Sequence, residues 1–241
     1  MHMPWQAPLI VFGMHRSGSS WLSRSLHHSG IYMGFKQEHN AEALHFLSLN
    51  QKLLAMEGAN WWQPKRITTL PSPFPSAKDL YVEHFKLGIE NPLLLLLHAR
   101  HPWGFKDPRN TFTLLAWKSI FPRAKFLHIY RNGQAVANSL WHRNSKTGEV
   151  HTPWLNHAEN AFALWETYML EVEFLNQQLP HIFHLSYEEL CKPHSPVVDS
   201  LSRFVGRKLL LSSAPKPSIH AILPELEEIA NKSAVYKRWY P

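Results

Sequence analysis

Residues Pro8 to Leu22, reading Pro-Leu-Ile-Val-Phe-Gly-Met-His-Arg-Ser-Gly-Ser-Ser-Trp-Leu, constrain the fold of this chain more than any other stretch. Leu9 to Phe12 are an apolar run of the kind that forms a buried strand, and Gly13 breaks it. Trp21, Leu22 and Leu26 then recur at helical spacing, so a helix opens near Gly18. A strand, a tight loop and a helix start in succession make an anion cradle. The loop amides point inward, and the helix start carries about half a positive charge.

The spacing Gly13-x-x-x-x-Gly18 is that of a P-loop, but the continuation is wrong for an ATPase. Such a loop continues with a Lys for the β and γ phosphates and a Ser or Thr for magnesium. Here Ser19 stands in the Lys position, and the nearby cation, Arg16, lies inside the loop. A loop of this kind can hold one phosphate and a neighbouring oxyanion. It can also be a bare strand-to-helix turn.

The rest of the chain reads as alternating strands and helices. Ile31 to Met33 is a possible short strand, and Ala41 to Met56 a helix with Leu44, Leu47, Leu53 and Leu54 on one face. Trp61 to Ser76 holds Pro64, Pro71, Pro73 and Pro75 and is irregular, either a binding loop or a surface excursion. A helix is expected over Lys78 to Leu97, with a possible break at Pro92. Trp103 to Lys106 reads as a strand, Asn110 to Ile120 as a helix, Ala124 to Tyr130 as a buried strand, and Gln134 to His142 as a helix. Thr152-Pro153 opens a long helix to about Gln178, whose stripe of Ala161, Phe162, Trp165, Tyr168 and Val172 is core packing. His181 to Leu185 is a strand, Pro196 to Val205 a helix, and Glu225 to Asn231 a last short helix in a tail broken by Pro215, Pro217 and Pro224. The expected fold class is α/β, a single domain over residues 1–241. It is a three-layer, P-loop-like fold with a central, mostly parallel sheet of about four or five strands flanked by helices.

In such sheets ligands sit at the carboxyl ends of the strands. Four features fall there: the loop after the first strand, Lys106 to Arg109, Arg131, and Tyr187. Arg131 and Ser139 lie eight residues apart, about two helical turns. A cation at a strand end and a hydroxyl on the following helix could clamp a second phosphate; taken alone, Arg131 reads first as a helix-flanking surface charge. The geometry to look for is two pockets for negative charge on a single sheet edge.

Charge supports an anionic ligand without identifying it. The 241 residues carry a formal net charge of +7, and the 17 histidines add to it only as pH falls. The basic residues are scattered, with no basic helix or aromatic-interleaved patch, which argues against a nucleic-acid partner. Cys191 is the only cysteine, so there is no internal disulfide, as suits a reducing, cytoplasmic setting. Leu93 to Leu97 is far too short for a membrane span, the N-terminus does not read as a signal peptide, and Met1-His2-Met3 could be an expression scar.

Taken together, these motifs resemble sulfotransferases that use 3′-phosphoadenosine 5′-phosphosulfate (PAPS). Gly13 to Trp21 is similar to the family's 5′-phosphosulfate loop, and Tyr130 to Leu140 to its 3′-phosphate motif. Gly104-Phe105-Lys106-Asp107-Pro108-Arg109 is seen in many bacterial members, and Tyr187-Glu188-Glu189-Leu190 is like the family's Tyr-Glu-Asp-Leu. The resemblance implies that His15, Arg16, Ser17, Gly18, Ser19, Ser20 and Trp21 hold the 5′-phosphate and sulfate, with Arg16 adding charge. It implies that Arg131 and Ser139 bind the 3′-phosphate, and that Tyr187 lies near the adenine or ribose. Lys106 falls where cytosolic members keep a Lys on the moving sulfuryl group. Lys232, Lys237 and Arg238 are candidates for a C-terminal contact with the 3′-phosphate.

Cytosolic members take the acceptor proton with a His two residues after that Lys. Here Pro108 stands there, so the base lies elsewhere. Many bacterial members carry a Glu eight residues before an Asn, matched by Glu42 and Asn50. Glu42 is the first choice for the base, the other reading being an exposed carboxylate in the first turn of a helix. His39 and Glu38 follow, then His98 and His101. Asp107 is expected as an N-cap or an ion-pair partner of Arg109. The implied reaction is sulfuryl transfer from PAPS to a hydroxyl or amine of a small molecule, with Glu42, Lys106 and Arg16 catalytic and no metal. Trp61, Trp62, Phe74, Trp141 and Trp154 are candidates to line the acceptor pocket. The rival readings are a P-loop kinase or NTPase and a non-catalytic nucleotide- or nucleic-acid-binding protein.

Overall fold

A computed structural model of the chain describes residues 6–34, 36–86, 93, 100–146, 151–211 and 221–241. Four strands form one sheet: β1 (Leu9–Gly13), β2 (Gly104–Lys106), β3 (Lys125–Tyr130) and β4 (Ile182–Ser186). Their order is β2-β1-β3-β4, and every pairing is parallel. The expected α/β architecture is therefore present, with four strands in the sheet.

Alternation along β1 divides the interior in two. Ile10 and Phe12 face the larger core, with Phe105, Phe46, Trp117 and Trp165; Leu9 and Val11 face the smaller, with Leu22, Leu127, Ile129 and Leu201. Helices α1 (Ser19–His28) and α8 (Pro196–Val205) cover the second face. The first carries α2 (Leu44–Met56), α3 (Ala77–Phe85), α4 (Asn110–Ile120), α5 (Gly133–Asn144), α6 (Ala158–Gln178) and α9 (Pro224–Lys232). A five-residue α7 (Tyr187–Cys191) and a closing α10 (Ala234–Trp239) complete the set. The Phe46 and Phe105 rings stack at 3.7 Å, locking α2 onto β2.

Several expected boundaries move, each for a local reason. The sequence predicts a helix from Ala41, but Ala41 takes a left-handed φ of 62° and Gln37 bridges Ala43, so α2 begins only at Leu44. Ile31 to Met33 makes a single bridge, Tyr32 to Trp103, in place of a strand. The helix expected over Lys78 to Leu97 is broken after Phe85, where Lys86 turns left-handed; residues 87–92, with Pro92, and 94–97 lie outside the described residues. Thr152-Pro153 opens a 3-10 turn, Pro153–Asn156, and the long helix starts at Ala158. Helix α10 is an addition; Pro215, Pro217, His98 and Met1 to Met3 lie outside the described residues. No helix among the described residues is long and apolar enough to cross a membrane.

Candidate active site

All four strands run the same way, so the loop after β1, Lys106, Arg131 and Tyr187 share one edge of the sheet. The loop's shape depends on its two glycines. Gly13 has φ 142°, and a Cβ there would stand 2.1 Å from the Ile129 carbonyl oxygen. Gly18, the N-cap of α1, has φ 90°, and a Cβ would meet the Tyr187 ring at 2.3 Å. Tyr187 is thus pressed against the loop, with Trp21 edge-on to it at 6.1 Å. Ser17 fastens the loop from within, its Oγ donating to the Met14 carbonyl at 2.6 Å.

Arg131 leaves β3 and turns toward this loop. Its guanidinium lies 4.8 Å from the centre of the Tyr187 ring and donates through Nη1 to the Arg16 carbonyl at 3.3 Å. Arg16, itself at φ 68°, donates through Nε to Ser139 Oγ at 3.0 Å. The residues expected to line the two pockets therefore lie on one rim, and Arg16 links the loop to Ser139. Asn132 accepts from the Ala135 amide and so starts α5, which carries Ser139 two turns on. The Trp165 indole holds the Arg131 carbonyl at 3.1 Å, and Glu188 accepts from the Asn132 amide at 2.9 Å.

A second cluster lies deeper. Lys106, the last residue of β2, pairs in register with Val11, two residues before the loop. Its Nζ donates to Glu42 Oε1 at 2.9 Å, and Arg109 Nη1 reaches Glu42 Oε2 at 3.4 Å and Asp107 Oδ1 at 3.0 Å. Asp107 is thus the ion-pair partner expected for Arg109. Glu42 is only 4% exposed, so the reading of it as an exposed carboxylate in a first helical turn does not hold. Burial and the nearby Asp107 push the Glu42 carboxyl up, against the opposing pull of Lys106 and Arg109. Asn50, on α2, ties the cluster together. Its amide donates to Asp107 Oδ2 at 2.9 Å and Asn110 Oδ1 at 2.8 Å, and its oxygen accepts from Thr113 at 2.8 Å and Trp117 at 2.9 Å.

His15 joins the two clusters. Its ring sits 4.7 Å from Trp61 and 6.3 Å from Tyr168, and its Nε2 is buried with no hydrogen-bond partner among the described residues. Burial, then Arg109, Arg143, Lys106 and Arg16, hold its pKa well below the usual value, so the imidazole is neutral. Arg143 stands 4.9 Å over the Trp61 ring.

Other candidates lie elsewhere. The His39 side chain is 86% exposed and pairs with Glu38, whose carboxylate caps the turn at Asn40. His101 packs edge-on to Tyr32 and Phe85, beyond the amino end of β2. Arg238 is engaged by Glu173 and Lys232 by Glu228. Of the aromatic candidates, Trp61 touches His15, Phe74 packs on Trp117, and the Trp141 indole donates to the Asn156 carbonyl. Sequence reasoning missed Arg109 as a partner of Glu42, and it missed α10. On α10, Tyr236 accepts from Asn132 at 2.6 Å, and Tyr240 next to it donates to Glu188 at 3.1 Å. No group of three or more metal-ligating side chains occurs among the described residues.

Residues 8–209 match the model of a sulfotransferase family. No curated protein matches the sequence. Among solved structures, a sulfotransferase from Alicyclobacillus acidocaldarius is similar at 18% identity and a TM-score of 0.52, covering 97% of this chain and 95% of that one. A sulfotransferase from Mycobacterium tuberculosis is similar at 14% identity and a TM-score of 0.53, covering 95% of this chain and 77% of that one. At these identities the likeness is one of fold.

Proposed function

The chain belongs to the sulfotransferase family, and we propose that it moves a sulfuryl group from PAPS to a hydroxyl or amine of a small-molecule acceptor, releasing adenosine 3′,5′-bisphosphate (PAP). The observation that carries the reading is the meeting of the glycine loop, Arg131 and Ser139 on one rim, linked through Arg16. The residues fit such a nucleotide. The loop's glycines leave room only for backbone, which suits close approach by a phosphate to the amides at the start of α1. Arg131 and Ser139 would take the 3′-phosphate. The Arg131 guanidinium stands over the face of the Tyr187 ring, and a base or ribose could rest against that stack.

The acceptor oxygen or nitrogen forms a bond to sulfur as the bond from sulfur to the 5′-phosphate oxygen breaks. The acceptor's proton goes to Glu42. A carboxylate lifted by burial toward neutral pH is a better proton acceptor than an ordinary one. Lys106 and Arg109 fix both Glu42 oxygens, which holds the base in one orientation. Lys106, Arg16 and the loop amides meet the charge that builds on the sulfuryl and leaving oxygens. Preorganised donors of this sort are worth roughly 2.7–4 kcal/mol each. Neutral His15 adds no positive charge to a site already rich in cations, and its buried, unpartnered Nε2 would orient the acceptor.

The test is transfer of label from radiolabelled PAPS to pooled small metabolites. The expected result is a labelled, sulfated product that depends on Glu42. Binding of PAP without transfer to any acceptor would overturn the catalytic reading.

A further inference from the structure

At the amino ends of the strands, opposite the candidate active site, lies an open cavity of about 760 Å³. Four cations line it: Arg100 before β2, Lys125 at the start of β3, and Arg207 and Lys208 after α8. No carboxylate lines it among the described residues. We propose that this cavity is a binding site for a compact anion bearing two or more phosphoryl or sulfo groups.

Two of the cations are set in place by the fold. Lys125 donates through Nζ to the Phe204 carbonyl at 2.7 Å, and its ammonium lies 5.7 Å from the centre of the Phe204 ring. Arg207 follows the left-handed cap of α8 at Gly206, and its guanidinium lies against the turn that ends α1. Gly30 shapes that turn, at φ 84°, and a Cβ there would stand 3.2 Å from Arg207 Nη1. Some surface cations elsewhere are paired with carboxylates: Lys192 with Glu189, Lys232 with Glu228, and Arg238 with Glu173. None of Arg100, Lys125, Arg207 and Lys208 has such a partner among the described residues. Like charges gathered round one cavity repel, and a multivalent anion relieves that repulsion. Two guanidinium forks suit tetrahedral oxyanions. Among the described residues no aromatic ring lines the cavity to receive a base, so the anionic groups themselves are what is recognised.

β1 is five residues long, so about 15 Å of strand at roughly 3.3 Å per residue separates this cavity from the glycine loop. The inference is independent of the reaction proposed above. Calorimetry at near-physiological salt tests it, with PAP present to fill the opposite edge. The probes are inorganic tripolyphosphate and a trisulfated heparin disaccharide. They are titrated into the intact chain and into an Arg100→Gln/Arg207→Gln/Lys208→Gln variant, whose changes are all at exposed positions. The expected result is binding of at least one probe at one site, weakened by about tenfold or more in the variant. The variant should keep its melting temperature and its affinity for PAP. Which probe binds tells a phosphorylated ligand from a sulfated one. Failure of both probes to bind the intact chain, or equal binding to the variant, would overturn the site. Should PAP itself not bind, the comparison of the two proteins still reads the cavity.

Discussion

Arg131 and Glu42 lie on the same edge of the sheet but are held in different ways. Arg131 is half-buried, touching one ring face and one carbonyl oxygen. Glu42 is buried, with one carboxylate oxygen on Lys106 and the other on Arg109, and that pair is braced through Asp107 by Asn50. In the proposed reaction the difference separates binding from chemistry. A rim whose groups reach solvent can change partners when a nucleotide arrives. A base must not move, and burial both fixes it and raises its affinity for a proton. Substitutions at the rim should therefore weaken binding and spare the fold, and substitutions in the floor should do the reverse.

The largest effect is expected at the floor. Glu42→Gln should lower single-turnover transfer by about 10²–10⁴, with PAP affinity nearly intact. An unchanged rate would move the base elsewhere. The wild-type rate should also carry an acid limb. A carboxyl whose folded pKa is raised stays protonated above its ordinary range, so transfer falls as pH drops through that raised value and the limb disappears in Glu42→Gln. An acid limb surviving in the variant would contradict the assignment.

Next comes the brace. Asn50→Ala strands the buried Trp117 indole, one Asp107 oxygen and the Asn110 side-chain oxygen. At about 1–3 kcal/mol for each unsatisfied buried group, a loss of roughly 3 kcal/mol or more in urea unfolding is expected. A loss below about 1 kcal/mol would mean that the floor is not held as described.

Much of this arrangement can be read from the sequence where the residues that act together are neighbours. Gly13 to Trp21 is contiguous, and Arg131 and Ser139 are linked by one helix, so spacing alone puts each set on a strand end. The floor is different. Glu42, Lys106 and Asn50 come from three separate segments, and only the family resemblance drew attention to Glu42. The expected helix from Ala41 placed that residue in an exposed first turn. The left-handed turn at Ala41, joined by the Gln37–Ala43 bridge, instead folds it inward. Period-based reasoning sees no such turn, since Ala rarely adopts positive φ. Helix α10 escaped notice because six residues are too few to show a period. Its Tyr236, and Tyr240 just after it, buttress Asn132 and Glu188 beside Arg131.

The smallest effects belong to the rim. Ser139→Ala removes one neutral hydroxyl and should weaken PAP binding only a few-fold, for about 0.5–1.5 kcal/mol. The melting temperature should stay put, whereas a marked drop would make Ser139 part of the floor's scaffold.

The central claim is that the glycine loop and Arg131 together receive a single nucleotide. Titration of PAP into the wild-type chain and into Arg131→Ala by calorimetry tests it most directly. One-to-one binding that weakens by about 10- to 100-fold in the variant, as the loss of a charge-assisted contact requires, is the expected result. Equal affinity in the two proteins, or no binding to the wild type, would contradict the account.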